Sequence, residues 1–331
     1  MAVPPLSLVM SVYNNAPYVG AAIDSILAQS FTDFEFLIVD DGSTDGSGEI
    51  IAARAAGDAR IRMIRQTNRG FVASLNRLFA EATSRWVARM DGDDLSHPER
   101  LARQMKFLDA NPKVGVVSCE ARLIGPDGAE LTDKPRRPRP LDHSAIVVDM
   151  EGGVALNHNA AVIDGHLVAR IGGYRPAYRH CEDYDLWLRL APLANFANLA
   201  EPLIDYRLYP EQVSNRHLVE QARNAAIAWL AHQARQRGMD DPTAGLESLP
   251  SDDMLDELFG QQGAARYVRS KVVNRMLFSP EALGGDGYRI LVDHIADTGA
   301  EPRLWRAAAR LAMAGRPGRA AGVVRALIRA A

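Results

Sequence analysis

The sequence predicts an α/β fold, a mostly parallel sheet flanked by helices, with a helical subdomain at its C-terminal end. Three observations carry this expectation. Short apolar runs alternate with amphipathic stretches over the first 120 residues, acidic loops directly follow two of those runs, and beyond residue 215 the chain turns to Ala, Leu and Arg at helical spacing. The strand-like runs are LSLVMSV (6–12), FEFLIV (34–39), IRMI (61–64), WVARM (86–90) and VGVVS (114–118). Between them, Pro17 suits the first turn of a helix, and further helices are expected over about 45–56, over 71–83 and after Pro98. GPDG reads as a turn, and TDKPRRPRP as a basic loop, because proline offers no backbone N–H to a helix or central strand. From 150 to 210, HNAAVI precedes a helix EDYDLWLRLA (about 182–191), and PLIDYRLY reads as a last strand. The expected boundary divides residues 1–214 from 215–331.

Composition excludes several classes. With 47% hydrophobic and 24% charged residues, the 331-residue chain can bury a sizeable core, so it is neither disordered nor fibrous. Its 38 basic and 41 acidic residues leave a charge of -3, so no general field draws it to nucleic acid. Cys119 and Cys181 lack metal-ligand spacing and lie far apart, which argues against a disulfide framework and fits a reducing cytoplasm. The N-terminal apolar run has no basic flank or small-residue cleavage site, and no apolar stretch reaches the length of a membrane span. Neither secretion by that route nor a spanning helix is expected.

Three acidic clusters draw the chemistry. They are Asp40, Asp41 and Asp45 in DDGSTD, Asp91, Asp93 and Asp94 in DGDD, and Glu182, Asp183 and Asp185 in EDYD. The first two follow strands directly, as does SVYNN, and in an open parallel sheet such loops share the carboxyl edge where ligands bind. Two carboxylates about 5 Å apart repel by roughly 3 kcal/mol at an effective dielectric near 20, so a compensating cation is wanted. Magnesium and manganese both take oxygen ligands. Each cluster also has a plainer reading. Asp45 can cap the next helix, DGDD can be a solvated turn, and acids in the first turn of a helix complement its dipole. The chain has no GxGxxG after its first strand, no GxxxxGK[ST] and no GxSxG, which turns the reading from dinucleotide, P-loop and α/β-hydrolase enzymes. A phosphorylation receiver domain wants an acidic pair where this chain has Tyr13, Asn14 and Asn15.

In their order, SVYNN, QSFTDFEFLIVDDGSTDGS, NRGFVASLN, DGDDLSHPERLARQ, EDYDLWLRL and YRLYPEQVS resemble family 2 of the inverting glycosyltransferases, with the GT-A fold. The resemblance runs from about Leu6 to Ser214, roughly two thirds of the chain. It implies that Ser11 and Tyr13 contact the nucleotide base, the tyrosine by stacking, and that Asp41 hydrogen-bonds a pyrimidine base while Asp40 supports the loop. Gly70 and Asn76 match positions near the nucleotide. Asp91 and Asp93 match the first and last acids of the DxD element, near the ribose and on the metal, with Asp94 an extra acid. Asp183 matches the general base with Glu182 beside it, and His158 matches a histidine on the strand facing the acceptor. Many relatives carry a histidine two residues after the YR arginine; here Leu208 and Tyr209 follow Arg207. Arg207 can pair with the diphosphate or serve as a buried structural arginine. Trp187 and Leu190 fit a core-facing stripe, and Cys181 a small packed side chain.

The implied activity is metal-dependent transfer of a sugar from a nucleotide-diphosphate sugar, a UDP-sugar first, to a glycan or lipid-linked acceptor in polysaccharide biosynthesis. One carboxylate takes the acceptor proton and a cation steadies the departing diphosphate, without the paired carboxylates of a retaining glycosidase. The alternatives are a catalytically silent relative that binds nucleotide sugars, or partners through its helical tail, and a sugar nucleotidyltransferase, which would want a glycine-rich basic loop in place of SVYNN. The last thirty residues carry Arg303, Arg306, Arg310, Arg316, Arg319, Arg325 and Arg329 among apolar residues such as Trp305, with no acid after Glu301. Such helices can lie peripherally on the inner, anionic face of a membrane or pack on their own subdomain. Lys134, Arg136, Arg137 and Arg139 form either a solvated linker or a path for an anionic acceptor.

Overall fold

The computed structural model describes residues 3–133, 138–150, 156–209, 212, 217–277, 279–285 and 287–331. Of the basic loop, Lys134, Arg136 and Arg137 lie outside them, as do Ser214 and most of PEQVS. The chain forms two compact units, Met1–Pro176 with Glu182–Pro210, and Ala177–Cys181 with Glu211–Ala331.

The first unit is built on β1 (Leu6–Val12), β2 (Phe34–Asp40), β3 (Ile61–Arg65), β4 (Trp86–Asp91), β5 (Leu95–Ser96), β6 (Val114–Ile124), β7 (Val162–Asp164) and β8 (Asn195–Arg207). They make one sheet in the order β3-β2-β1-β4-β7-β6-β8-β5. The pairs β1–β2, β1–β4 and β2–β3 are parallel, and β1 is apolar nearly throughout because helices cover both faces of such a sheet. The helices are α1 (Ala16–Leu27), α2 (Ser47–Gly57), α3 (Phe71–Glu81), α4 (Arg100–Ala110), α5 (His143–Asp149), α6 (Gly165–Arg170) and α7 (Glu182–Leu190). The main core runs through the sheet, with Leu8, Met10, Phe36, Ile38 and Met90 wholly buried.

The second half of the sheet is more mixed than the apolar runs suggest. Strand β7 runs antiparallel to both β4 and β6, and β5 antiparallel to β8. Strands β6 and β8 pair in parallel well past the expected 114–118, with register shifts around Glu120. Charged residues on this ribbon, such as the paired Arg122 and Asp205 (Nε to Oδ1 2.7 Å), hide its strand character in sequence. His158 falls in the 3-10 segment His158–Ala160 just before β7, rather than on a strand.

In the second unit, α8 (Leu218–Gln236), α9 (Leu255–Leu258), α10 (Ala264–Met276), α11 (Pro280–Gly284), α12 (Gly287–Thr298), α13 (Pro302–Met313) and α14 (Pro317–Ala330) follow one another. Helices α13 and α14 pack together, separated by Gly315 in the left-handed region (φ +72°) and Pro317 at the next helix start. Leu304, Leu311, Val323 and Leu327 are buried, while Trp305, Met313 and Ile328 are exposed. Arg303, Arg310 and Arg319 bond within the unit, to Asn274 Oδ1, Leu277 O and Gly284 O respectively. Among the described residues no helix is long and apolar enough to cross a membrane.

Candidate active site

Because β1, β2 and β4 are parallel neighbours, the residues that follow them gather at one edge of the sheet. Ser11 is half-buried in β1 and Tyr13 stands exposed just beyond it. Asp41 N–H donates to Val12 O (2.9 Å), which joins the two loop starts. Asp41 itself is buried, and its carboxylate accepts from Gln66 Nε2 (2.7 Å), Arg69 N (2.8 Å) and Gly70 N (2.9 Å). Asp40 accepts from Ser43 N through Oδ1 and pairs with Arg65 through Oδ2. Gly42 (φ +80°) passes so close to Asn68 N that a Cβ would sit 2.8 Å from it, so this turn requires glycine. Asp45 bonds the backbone N–H groups of Ala16 and Ser47 and the Ser47 hydroxyl. Burial would raise its pKa, and these hydrogen bonds more than reverse that and hold it below the usual range.

The acids after β4 are placed differently. Carboxylate oxygens of Asp91, Asp93 and Asp94 lie within 4.8 Å of one another. Burial first, then the Asp91 charge, raises Asp93 to about 6, against a hydrogen bond from Tyr209. Burial, Asp93 and Asp91 push Asp94 well above its ordinary value, although Arg207 N (2.8 Å) and Asn159 Nδ2 both donate to it. Asp94 therefore has both oxygens engaged by the chain. Asp91 is tied through Oδ1 to Arg89 (2.6 Å) and Asp93 through Oδ2 to the Tyr209 hydroxyl (2.8 Å), which leaves the second oxygen of each outside those bonds. Crowded carboxylates, all oxygen donors and all raised or bridged, fit a hard divalent cation held by Asp91 and Asp93.

Arg89 links this cluster to the acids that open α7. It is buried in β4 and lies over the Phe71 ring (5.1 Å), and its Nε is shut from water without a hydrogen-bond partner. Burial opposes its charge, but attraction and hydrogen bonding to Asp91, with the fields of Tyr174 and Glu182, raise its pKa overall. Burial and then Asp183 push Glu182 up to about 8, against Arg89. Asp183 is raised by burial, partly offset by a bond from Tyr184 N (2.7 Å) and by Arg89. His158 is held well below its usual range by burial and Arg89, and its Nε2 lies 2.8 Å from the Tyr174 hydroxyl.

Several candidates take local partners. The Asn76 amide bonds the Tyr174 backbone on both sides, Nδ2 to O and Oδ1 from N, each at 2.8 Å. Arg207 is buried, donating to Asp93 O (2.7 Å), Gly125 O and Pro126 O, and it lies 4.6 Å from the Tyr18 ring centroid. Gly70 (φ +87°) precedes α3 and gives its N–H to Asp41. Arg89 was not legible as a site residue. The available signal was a lone arginine in an apolar strand two positions before an acid, hence on the same face. Arg100, the first residue of α4, is also fully buried; burial lowers its pKa to about 10, and it donates to Arg89 O and Asn159 O.

The profile of glycosyl transferase family 2 matches residues 7–166. The putative glycosyltransferase EpsE of Bacillus subtilis (strain 168) is 33% identical over 236 residues, 69% of this chain and 82% of that protein. Chondroitin synthase of Pasteurella multocida is 23% identical, over 71% of this chain and 24% of that protein. Among solved structures, S. aureus TarS 1-349 in complex with UDP aligns at TM-score 0.56 and 16% identity, covering 98% of this chain and 88% of that one. The mannosyltransferase PcManGT from Pyrobaculum calidifontis, in complex with GDP-Man and Mn2+, aligns at TM-score 0.50 and 20% identity, covering 99% and 87%. These two structures share the fold.

Proposed function

Given that this chain belongs to glycosyltransferase family 2, we propose that it transfers a sugar with inversion from a nucleoside-diphosphate sugar, a UDP-sugar first, to a hydroxyl of a glycan or lipid-linked oligosaccharide. The observation that carries the reading is two groups of raised acids, Asp93 with Asp94 and Glu182 with Asp183, beside a buried arginine that is ion-paired to Asp91. The nucleotide and Mn2+ named for the two structural neighbours support it.

Asp91 and Asp93 would hold manganese or magnesium. A bound cation at that place supplies positive charge against the diphosphate as the glycosidic bond breaks. Asp183 takes the proton of the acceptor hydroxyl, and its raised pKa makes it a stronger base than an ordinary aspartate. Glu182 and Asp183 titrate as one pair, on which burial and their mutual repulsion favour a retained proton. Arg89 positions both groups. Tyr13 stacks on the base, Ser11, Asp41 and Gly70 shape its pocket, and neutral His158 faces the acceptor. Arg207 acts by fixing the Asp93 backbone, and Asn76 by fixing Tyr174 beneath His158. Residues 1–214 form the donor-binding and catalytic part in this reading.

Incubating the chain with a panel of nucleotide sugars, Mn2+ and hydroxyl acceptors tests it. The expected product has its anomeric configuration inverted relative to the donor. Retention of configuration, or transfer from no nucleotide sugar, would overturn the assignment. We also infer that exposed Trp305, Met313 and Ile328, set among arginines, rest on the anionic cytoplasmic face of a membrane. Vesicle flotation unchanged by deleting residues 301–331 would remove that inference.

A further inference from the structure

A second group of ligand-bearing side chains lies in the second unit, made of residue types unlike those after β4. His180 belongs to the segment Ala177–Cys181 and holds φ +60°, a conformation that side chains other than glycine adopt rarely. His217 stands immediately before α8, and Glu220 lies in its first turn. The two imidazoles stack with centroids 3.9 Å apart and planes at 21°. Glu220 Oε2 is 3.8 Å from His180 Nε2 and 3.4 Å from His217 Nδ1. These distances exceed the roughly 2.7–3.2 Å of a good hydrogen bond. His180 Nε2 is shut from water and has no hydrogen-bond partner.

All three ligand atoms nevertheless converge within 4.8 Å. A tetrahedral ion with bonds of about 2.0–2.1 Å to nitrogen and oxygen sets its ligands roughly 3.3 Å apart. The carboxylate-to-imidazole separations of 3.4 Å and 3.8 Å are close to that edge, whereas two imidazoles on one such ion hold their centroids about 5 Å apart, so the stacked rings part by about 1 Å as the ion enters. We propose that His180, His217 and Glu220 form a binding site for a borderline divalent metal of the zinc, cobalt or nickel class.

Two imidazoles and one carboxylate suit such ions, whereas the all-oxygen acids after β4 suit magnesium or manganese. His217 and Glu220 are each about two fifths exposed (39% and 42%), which gives the ion a path in and leaves room for water as a further ligand. Bound metal ties Ala177–Cys181, the residues immediately before Glu182 in the chain, to the start of α8.

The test is calorimetric titration of ZnCl2 into the full, tag-free chain with Mg2+ in excess, backed by the absorption spectrum of added Co2+. One equivalent of zinc is expected to bind per chain, and Co2+ to give the intense visible bands of a low-coordinate site. His217→Ala and Glu220→Gln are expected to weaken zinc by about 100-fold or more, since loss of even an outer partner costs 10–100-fold. His180→Gly removes a ligand while relieving the positive φ, and an unchanged circular-dichroism spectrum separates its loss of zinc from unfolding. Asp93→Ala is expected to leave zinc binding unchanged. Absence of a zinc equivalent, its persistence in His217→Ala, or its loss in Asp93→Ala would each overturn the proposal.

Discussion

The acids that follow β2 and those that follow β4 share one edge of the sheet, yet the protein surrounds them in opposite ways. Backbone N–H groups of Ser43, Arg69, Gly70, Ala16 and Ser47 point at Asp40, Asp41 and Asp45. Asp93 and Asp94 instead sit beside further acids, and burial raises both. Glu182 and Asp183 repeat that second pattern at the start of α7. Carboxylates whose lone pairs are filled by their own chain fix a loop. Acids held raised around one buried arginine are poised to bind a cation or take a proton. Counting acids in the sequence does not separate the two kinds; their donors do.

The largest effect should come from the raised group. Asp183→Asn is expected to lower transfer by about 10³-fold, in the range for loss of a general base, while UDP binding measured by calorimetry stays within about twofold. Comparable losses of both would mean that Asp183 works through binding. Next, Arg89→Met leaves the partly exposed Asp91 without its cation, and urea unfolding should show a loss of about 2 kcal/mol, below the range for a fully buried pair. An unchanged midpoint would break the claim that this arginine holds the two acid groups.

Glu182→Gln sharpens the contrast by pH. Folded Glu182 keeps its proton to about 8 against an ordinary value of 4.5, so between these pH values the folded state binds more protons than the unfolded. Its contribution is therefore full below 4.5 and is lost as pH rises through about 8. With metal chelated, the variant should match the parent in Tm near pH 4.5 and exceed it near pH 8; parallel Tm curves would contradict this sign. Smallest is Asp45→Ala, which removes hydrogen bonds at the starts of α1 and α2 and should cost about 1 kcal/mol by urea unfolding without altering Mn2+ affinity.

Much of the first half of the sheet was legible because its strands are buried on both faces and read as unbroken apolar runs, as in LSLVMSV. The distal half was not. Strand β7 has only three residues, too few to show a period, and β6 and β8 carry Glu120, Arg122 and Asp205 along their shared ribbon. Within the site, the acids announced themselves by clustering at strand ends and a helix start. Their electrostatic link did not, because an arginine inside WVARM looks like an interruption until its burial beside Asp91 is seen. Tyr209 stood out only as a departure from the family pattern; the structure shows its hydroxyl on Asp93 Oδ2. Asn76 and Arg207 have backbone partners that no motif spacing conveys.

The central claim is that the raised acids after β4 await a divalent ion that brings the nucleotide with it. Calorimetric titration of UDP into the parent chain and into Asp93→Ala, each with Mn2+ and with chelator, tests it most directly. The account predicts that Mn2+ tightens UDP binding at least about 10-fold in the parent and has no effect in the variant. Equal tightening in both proteins, or none in the parent, would contradict it.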